Sequence, residues 1–149
     1  MSTHHKRSLV WIRRDLRWLD STALSKATHN SENVAVVFVF DTEILKHLKN
    51  KKDKRITFIY DSIKEVDEEL QKHGSKLIVR VGNPTREIPK LVRELEIEAL
   101  YFNEDYEPYA RQRDKSVRDS LKKINIPSYS FKDHVIFSGD EVLKPNNSP

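Results

Sequence analysis

The sequence predicts an α/β fold: a three-layer, doubly wound (Rossmann-like) domain built on a five-stranded parallel sheet. Two observations indicate this fold. Five short apolar runs follow one another along the 149 residues, and helical patterns lie between them. The run over residues 34–40 contains no polar residue, and such continuous apolarity is typical of a parallel strand buried on both faces. Strands that alternate with helices in this way are joined by right-handed crossovers.

A chain of 149 residues suits one domain. We expect residues 1–8 to be a flexible start and residues 9–149 to form the α/β domain. The five apolar runs are the predicted strands, and each is short enough for a strand rather than a buried helix. They are Leu9–Ile12, Val34–Phe40, Leu77–Val81, Ala99–Phe102 and Tyr129–Phe131.

The first two predicted helices are bounded by capping residues. Asp20 is placed to cap a helix over residues 21–28. From Arg55 to His73 the apolar residues recur at helical spacing and give one apolar stripe on a long helix. Gly74 then stands where a left-handed residue ends such a helix.

Two further helices precede the fourth and fifth strands. Asn83 and Pro84 open the third helix, and we expect Pro89 to fall in its first turn, because a proline further in removes a hydrogen bond and bends the helix. The fourth helix runs from about Tyr109 to Ile124. In doubly wound sheets, ligands bind beyond the carboxyl ends of the strands. The loops expected there are 13–15, 41–42, 82–83 and 103–107.

Composition excludes several classes of function. Without cysteine, the chain has no disulfide, no cysteine zinc site and no catalytic thiol. Its three glycines form neither a dinucleotide fingerprint nor a P-loop, and no G-x-S-x-G elbow occurs. The histidines lack metal-ligand spacing, so we expect no metal site and no self-contained catalytic residues.

Charge and hydropathy add expectations about partners and location. The net charge of +4 is compatible with a nucleic-acid partner, but on charge alone an ordinary basic soluble domain is the simpler interpretation. No apolar run approaches the roughly 20 residues that span a bilayer, and the start lacks the pattern of a secretory signal. We therefore expect no membrane partner and a cytoplasmic location.

Two motifs stand at predicted strand ends. The first, WIRRDLR over residues 11–17, puts three guanidinium groups and a carboxylate just past the first strand. Local pairing explains Asp15 and Arg17, whereas Arg13 or Arg14 is the better candidate to face a ligand.

The second motif, YFNEDYEPY over residues 101–109, is followed by ARQRD. Glu107 and Pro108 suit the first turn of a helix, so helix-start chemistry explains Glu107 as well as a functional role does. It explains Asp105 and Tyr109 less well.

Together these motifs resemble the N-terminal domain of the photolyase/cryptochrome family. The family's opening signature, W-x-R-x-D-L-R-x-x-D-N-x-A-L, is matched over residues 11–24 with Ser21 in place of Asn. Its second signature, Y/W-N-x-D-x-E-P-Y-x-R-x-R-D, is matched over residues 102–114 except that Phe102 opens it. The turn at Gly82-Asn83-Pro84 also follows the family, and the resemblance runs from about Leu9 to the end of the chain.

The resemblance implies a domain of a deoxyribodipyrimidine photolyase, which repairs UV-made pyrimidine dimers in DNA by light-driven electron transfer from reduced FAD. A blue-light-sensing cryptochrome is the alternative within the family, and a stand-alone α/β module that binds a nucleotide or a protein is the alternative outside it. In the family, FAD and damaged DNA bind a following helical domain. We expect that domain to be missing from a chain that ends at Pro149, so no repair is expected of the chain alone.

The family's α/β domain holds an antenna pigment that passes excitation to FAD. Folate-type members resemble N-E where this chain has Tyr109 and Ala110, so the chain resembles members with 8-hydroxy-5-deazaflavin or FMN rather than methenyltetrahydrofolate. The apolar residues of the implied pocket would bury the ring of the pigment, and packing in the domain core explains those residues equally well. The charged residues would bind the polar edge of the ring or an anionic group of the pigment. The residues that the resemblance implies are Ile12, Arg13, Phe38, Val39, Asp41, Ile44, Leu48, Arg55, Asp105 and Glu107.

Overall fold

The computed structural model describes residues 4–13, 21–46 and 54–132. Within these residues, strands and helices alternate as predicted, with one additional short helix. The elements are β1 His5–Ile12, α1 Thr22–Asn30, β2 Ser31–Asp41, α2 Thr42–Lys46, α3 Lys54–Lys72, β3 Leu77–Gly82, α4 Pro84–Glu94, β4 Ala99–Asn103, α5 Pro108–Lys122 and β5 Ser128–Phe131.

All five strands are parallel and lie in the order β3-β2-β1-β4-β5. Alternate residues of β1 point to opposite faces: Val10 packs in a core with α1 and α3, whereas Leu9 packs in a second core with α4 and α5. The predicted three-layer, doubly wound fold is therefore confirmed. No helix among the described residues has the length and apolarity to cross a membrane.

The first strand begins at His5, four residues earlier than predicted, so residues 5–8 belong to the sheet and not to a flexible start. These polar residues extend the strand because neighbouring elements satisfy them. His5 pairs in register with Ser31, and the buried hydroxyls of Ser8 and Ser31 share a hydrogen bond of 2.6 Å. The amide of Lys6 donates to Glu98 at 2.9 Å.

Helix α1 is capped by Ser21, whose hydroxyl accepts a hydrogen bond from the amide of Leu24 at 3.2 Å. The predicted cap, Asp20, lies outside the described residues. Helix α2 was not predicted, because five residues are too few to show a helical period. The expected left-handed residue after α3 is confirmed, since Gly74 has a φ of +77°.

Proline 89 lies in the interior of α4, and the expectation that it falls in the first turn was wrong. The helix begins at Pro84, directly after the cap Asn83, which makes Pro89 its sixth residue. Pro89 has no amide to donate to the carbonyl of Thr85. Its ring is buried, as is the neighbouring Ile88, and burial of apolar surface is favourable.

Substitution of Gly82 by alanine is expected to destabilise the domain by about 2–3 kcal/mol, because φ is +152° and a Cβ would lie 2.9 Å from the Glu87 carboxylate and 3.0 Å from its Cγ. Gly74→Ala is the matched control. It also has positive φ but meets no atom within 4 Å, so about 1–2 kcal/mol is expected. Denaturant unfolding followed by circular dichroism measures both, and an equal or smaller loss for Gly82→Ala would contradict the contact argument.

Candidate functional site

Four buried charged side chains meet at the carboxyl ends of β1 and β2, where α5 passes above the sheet. We call Arg13, Asp41, Arg113 and Asp114 the ionic cluster. Each residue is less than a tenth exposed. Arg13 follows β1, Asp41 ends β2, and the other two lie on the buried side of α5.

The ionic cluster is held by one carboxylate that both arginines share. Arg13 Nη1 donates to Asp114 Oδ1 at 2.7 Å, and Arg113 Nε donates to the same oxygen at 3.2 Å. Arg113 Nη1 lies 3.6 Å from Asp41 Oδ2. Arg13 Nη2 donates in addition to the carbonyl oxygen of Asn103. Two cations and two anions balance, as buried charges require, and they tie three strands to α5.

Aromatic rings form the floor of this cluster. The guanidinium carbon of Arg13 lies 4.6 Å from the ring centre of Trp11, and that of Arg113 lies 5.1 Å from it. Phe102 contacts Arg13 in the same way at 4.8 Å. Both rings are 1% exposed. Cation–π contacts of this kind gain strength when they are desolvated, so the rings hold the guanidinium planes in place.

Asn103 fastens the end of β4 to the first turn of α1. Its side-chain oxygen accepts from the amide of Ala23 at 3.0 Å, and its side-chain nitrogen donates to the Ser21 hydroxyl at 3.3 Å. The residue is 1% exposed. The asparagine of the second motif therefore has a structural role, which positions the loop that follows it.

Tyr109 connects the first turn of α5 to the end of β2. Its hydroxyl donates to Asp41 Oδ2 at 2.7 Å, while the other Asp41 oxygen accepts the amide of Glu43 at 2.9 Å. Burial, then the hydrogen bond to Asp41, raises the pKa of Tyr109 well above its usual value. The phenol thus stays neutral at physiological pH, and its ring remains 40% exposed beside the strand ends.

Arg13 follows β1 and Asp105 comes after β4, and these two strands are neighbours in the sheet. Asp105 is 8% exposed and accepts the amide of Glu107 at 3.2 Å. Pro108 is the first residue of α5, so the helix-start interpretation is confirmed for it. Glu107 is the exposed N-cap, its side chain makes no capping hydrogen bond, and its role towards a ligand stays a prediction. The Arg13 side chain is 6% exposed and already paired, so its role towards an anionic ligand stays a prediction.

The remaining expected pocket residues do not all share one surface. Ile12 and Phe38 are buried on the α1–α3 face, whereas Val39 is buried on the α4–α5 face. Ile44, on α2, is 42% exposed. Arg55 is exposed in the first turn of α3. Leu48 lies outside the described residues, as do Arg14, Asp15 and Arg17 of the first motif.

An apolar strip lies on the α1–α3 face at the carboxyl ends of β2 and β3, buried at Phe38 and exposed on β3. It consists of Phe38, Phe40, Val79 and Val81, which pair in register as Phe38 with Val79 and Phe40 with Val81. The two phenylalanine rings pack edge to face at 5.0 Å. Val79 is 42% and Val81 63% exposed, which is unusual for a strand of such apolar composition.

Helix α3 leaves this apolar strip open. Its buried residues, Ile63, Val66 and Leu70, lie in the second half of the helix. Near its beginning Ile59 is only half-buried and Phe58 is 70% exposed. The sheet edge and the first turns of α3 therefore present apolar surface near the carboxyl ends of β2 and β3. Sequence reasoning included Phe38 but missed Phe40, Val79 and Val81.

Comparison with known proteins agrees with the resemblance seen in the two motifs. The family model for DNA photolyase matches residues 8–149, and the chain belongs to that family. The deoxyribodipyrimidine photo-lyase of Synechococcus sp. is 33% identical over 141 residues, which cover 95% of this chain and 29% of that protein. The cryptochrome DASH of Gloeobacter violaceus is 33% identical over 135 residues, covering 88% of this chain and 27% of that protein.

Solved structures give the same result. The photolyase of Sulfolobus tokodaii, whose structure contains two FAD molecules, superposes with a TM-score of 0.75 at 30% identity, covering 87% of this chain and 30% of that one. The chain thus spans roughly a third of the length of the relatives it matches. These relatives include both photolyases and cryptochromes, so the family is established at a level that contains both.

Proposed function

We propose that this domain holds the antenna pigment of a deoxyribodipyrimidine photolyase. The observation that carries the proposal is the exposure of Val79 and Val81, 42% and 63%, at the carboxyl end of a parallel sheet. Apolar surface at that place fits one face of a flat tricyclic ring. In this proposal the FAD and the UV-damaged DNA bind a helical domain of the whole protein, and the protein is cytoplasmic, in keeping with the absence of cysteine.

Polar groups lie at the same end of the sheet as the apolar strip. Asp41 ends the strand that carries Phe38 and Phe40, and the Tyr109 hydroxyl donates to it. Arg55, in the first turn of α3, is exposed and could neutralise an anionic group of the pigment. The ionic cluster fixes these strand ends to α5, which supports a constant distance and angle between pigment and FAD.

A flavin-like pigment is favoured over a folate. The chain has Tyr109 and Ala110 at the positions where folate-type members resemble Asn and Glu. Neither side chain has the carboxylate of that pattern, and Tyr109 donates to Asp41 while Ala110 is buried. We therefore propose 8-hydroxy-5-deazaflavin or FMN as the pigment.

Titration with each pigment tests the proposal. The chain is expected to shift the visible band or quench the fluorescence of 8-hydroxy-5-deazaflavin or FMN at tens of micromolar. Val81→Asp should weaken that binding by about tenfold or more, because a carboxylate would have to be desolvated against the ring. The control is Arg80→Ser, since Arg80 lies on the other side of the same strand and pairs with Glu94 at 3.3 Å.

Val81 is already solvent-exposed, so the aspartate should leave the fold intact and its effect can be assigned to binding. Unchanged spectra with wild-type chain, or equal weakening by Val81→Asp and Arg80→Ser, would count against a pigment at the apolar strip.

A cryptochrome is the second candidate, and the specific observation in its favour is the DASH relative, which is as similar as the photolyase at 33% identity. The two candidates share this domain and differ in what the whole protein does. Blue-light repair of pyrimidine dimers by the chain joined to an FAD-binding helical domain would support the photolyase. Pigment binding without repair would support the cryptochrome.

A further inference from the structure

The two faces of the sheet carry different charge. Helices α4 and α5 contain eight basic and four acidic residues and together carry a formal charge of +4, equal to that of the whole chain. Helices α1 and α3 on the other face contain five basic and five acidic residues and sum to zero. Among these four helices, the excess of positive formal charge therefore lies in α4 and α5, on the face opposite the apolar strip.

The exposed cations on that face form two stripes. Helix α4 presents Arg86, Lys90 and Arg93 at intervals of four and three residues, which places them on one side of the helix. Helix α5 presents Arg111, Lys115 and Lys122, also on one side and about 16 Å from end to end. Because α4 and α5 contact each other on the same side of the sheet, both stripes lie on that side of the domain. We call these six side chains the basic face.

Most cations of the basic face form no close ion pair with a described carboxylate, although Arg111 and Lys115 line a cavity that Glu104 and Asp119 also line. Lys115 pairs with Asp119 at 3.3 Å. The other five cations have no carboxylate within 4.0 Å in the described ranges 4–13, 21–46 and 54–132, although the ring of Tyr106 lies against Arg111 at 5.6 Å. By contrast, the two buried arginines, Arg13 and Arg113, both pair with carboxylates of the ionic cluster.

The basic face is poor in apolar surface. Of the large hydrophobic residues that are exposed in the described chain, only Tyr109 belongs to α4 or α5, and it stands in the first turn of α5. Helices that lie on membranes bury Trp, Phe or Leu in the bilayer, and stable protein interfaces need apolar or aromatic anchors. A surface of spaced Arg and Lys without such anchors fits a regular array of phosphates instead.

We propose that the basic face binds the phosphate backbone of double-stranded DNA, independently of base sequence. The inference does not depend on the pigment, because the apolar strip lies on the other face of the sheet. Arginine at both ends of the α4 stripe can contact phosphate oxygens in bidentate fashion, and lysine can act as a point charge. Six cations would release up to six condensed counterions, so the affinity should fall steeply with salt.

Fluorescence anisotropy with a labelled, undamaged 20-base-pair duplex tests the proposal on the whole chain. Wild type is expected to bind at low salt, with a slope of log affinity against log salt of about −4 to −5. Removing three cations from α4 (Arg86→Ala, Lys90→Ala and Arg93→Ala together) should reduce the slope by about 2–3 and weaken binding by about tenfold or more at 50 mM salt.

The matched control removes three exposed cations from α3 on the opposite face. Lys54→Ala, Lys64→Ala and Lys72→Ala together change the net charge by the same amount, from +4 to +1. We expect this variant to lose less than about threefold in affinity, because its cations lie away from the duplex. If either triple variant unfolds below the assay temperature by circular dichroism, Lys90→Glu and Lys64→Glu make the same comparison.

Several outcomes would overturn the proposal. Absence of binding by wild type at 100 μM chain and 50 mM salt is one. Equal weakening by the α4 and α3 variants would show an effect of net charge alone. Two further outcomes would show that any polyanion suffices. One is that poly-glutamate competes with the affinity and salt slope found for DNA, and the other is that phosphatidylserine vesicles bind with that affinity and slope. Duplex RNA bound as tightly as duplex DNA would extend the same phosphate contact to both nucleic acids and uphold it.

Discussion

Replacement of Asp114 by asparagine is expected to lower the free energy of unfolding by about 3–5 kcal/mol, although the side chain keeps its size. Asp114 Oδ1 accepts from both Arg13 and Arg113, at 2.7 and 3.2 Å, and neither guanidinium is more than 8% exposed. Without that carboxylate, two buried cations share Asp41 alone. Uncompensated buried charge is among the largest single causes of destabilisation.

The control for this prediction lies one and a half turns further along the same helix. Asp119→Asn also removes a carboxylate from α5, but its ion pair with Lys115 is exposed, at 58% and 79% of the two side chains. Such pairs contribute about 0.3–0.5 kcal/mol. Urea unfolding followed by circular dichroism measures both variants. A loss below about 1 kcal/mol for Asp114→Asn, or equal losses, would mean that water reaches the ionic cluster and screens it.

The fold was predictable because apolar runs mark its strands and apolar residues at helical spacing mark its helices. The predicted bounds of elements were wrong where neither pattern is present. Residues 5–8 are polar and extend β1 through hydrogen bonds to residues distant in sequence, such as Ser31 and Glu98. Pro89 was misplaced because the rule against interior proline considers the lost hydrogen bond and not the burial of the ring.

The candidate site was predictable in place and less so in its contacts. The strand-end rule located it, but Arg13 and Asp114 are 101 residues apart in the chain, and no local pattern links them. One signal was available. Arg113 and Asp114 fall between Ala110 and Val117 on the side of α5 that is buried, at spacings of three and four residues. Charged residues at the apolar positions of a helix predict a buried ionic partner.

The exposure of the apolar strip could not be predicted either, because it depends on how far α3 covers the sheet. Valine at residues 79 and 81 suits a buried strand, and the apolar period of α3 extends over its whole length. The structure buries Ile63 and Leu70 but leaves Phe58 exposed. Packing of a helix along a sheet is a tertiary property, and composition at the strand gives no measure of it.

Trp11→Ala is expected to cost about 3–5 kcal/mol of unfolding free energy. The indole is 1% exposed, packs against Phe102 at a ring distance of 5.7 Å, and lies under both guanidinium groups of the ionic cluster. Its removal leaves a large cavity and two cations without their aromatic support. Trp11→Phe is the conservative control. It keeps a ring and deletes an indole N–H that has no partner among the described residues, so we expect about 1–2 kcal/mol.

A double-mutant cycle then separates the free-energy cost of the cavity from the cost of the lost contacts with the charged side chains. If Trp11 acts only by filling space, its loss should add to that of Asp114→Asn within about 0.5 kcal/mol. If the ring holds Arg13 and Arg113 in the geometry that Asp114 needs, the double variant should lose less than the sum by about 1 kcal/mol or more, because each single change already disorders the same contacts. Trp11→Phe combined with Asp114→Asn should then be close to additive, since phenylalanine preserves the aromatic floor beneath the guanidinium groups.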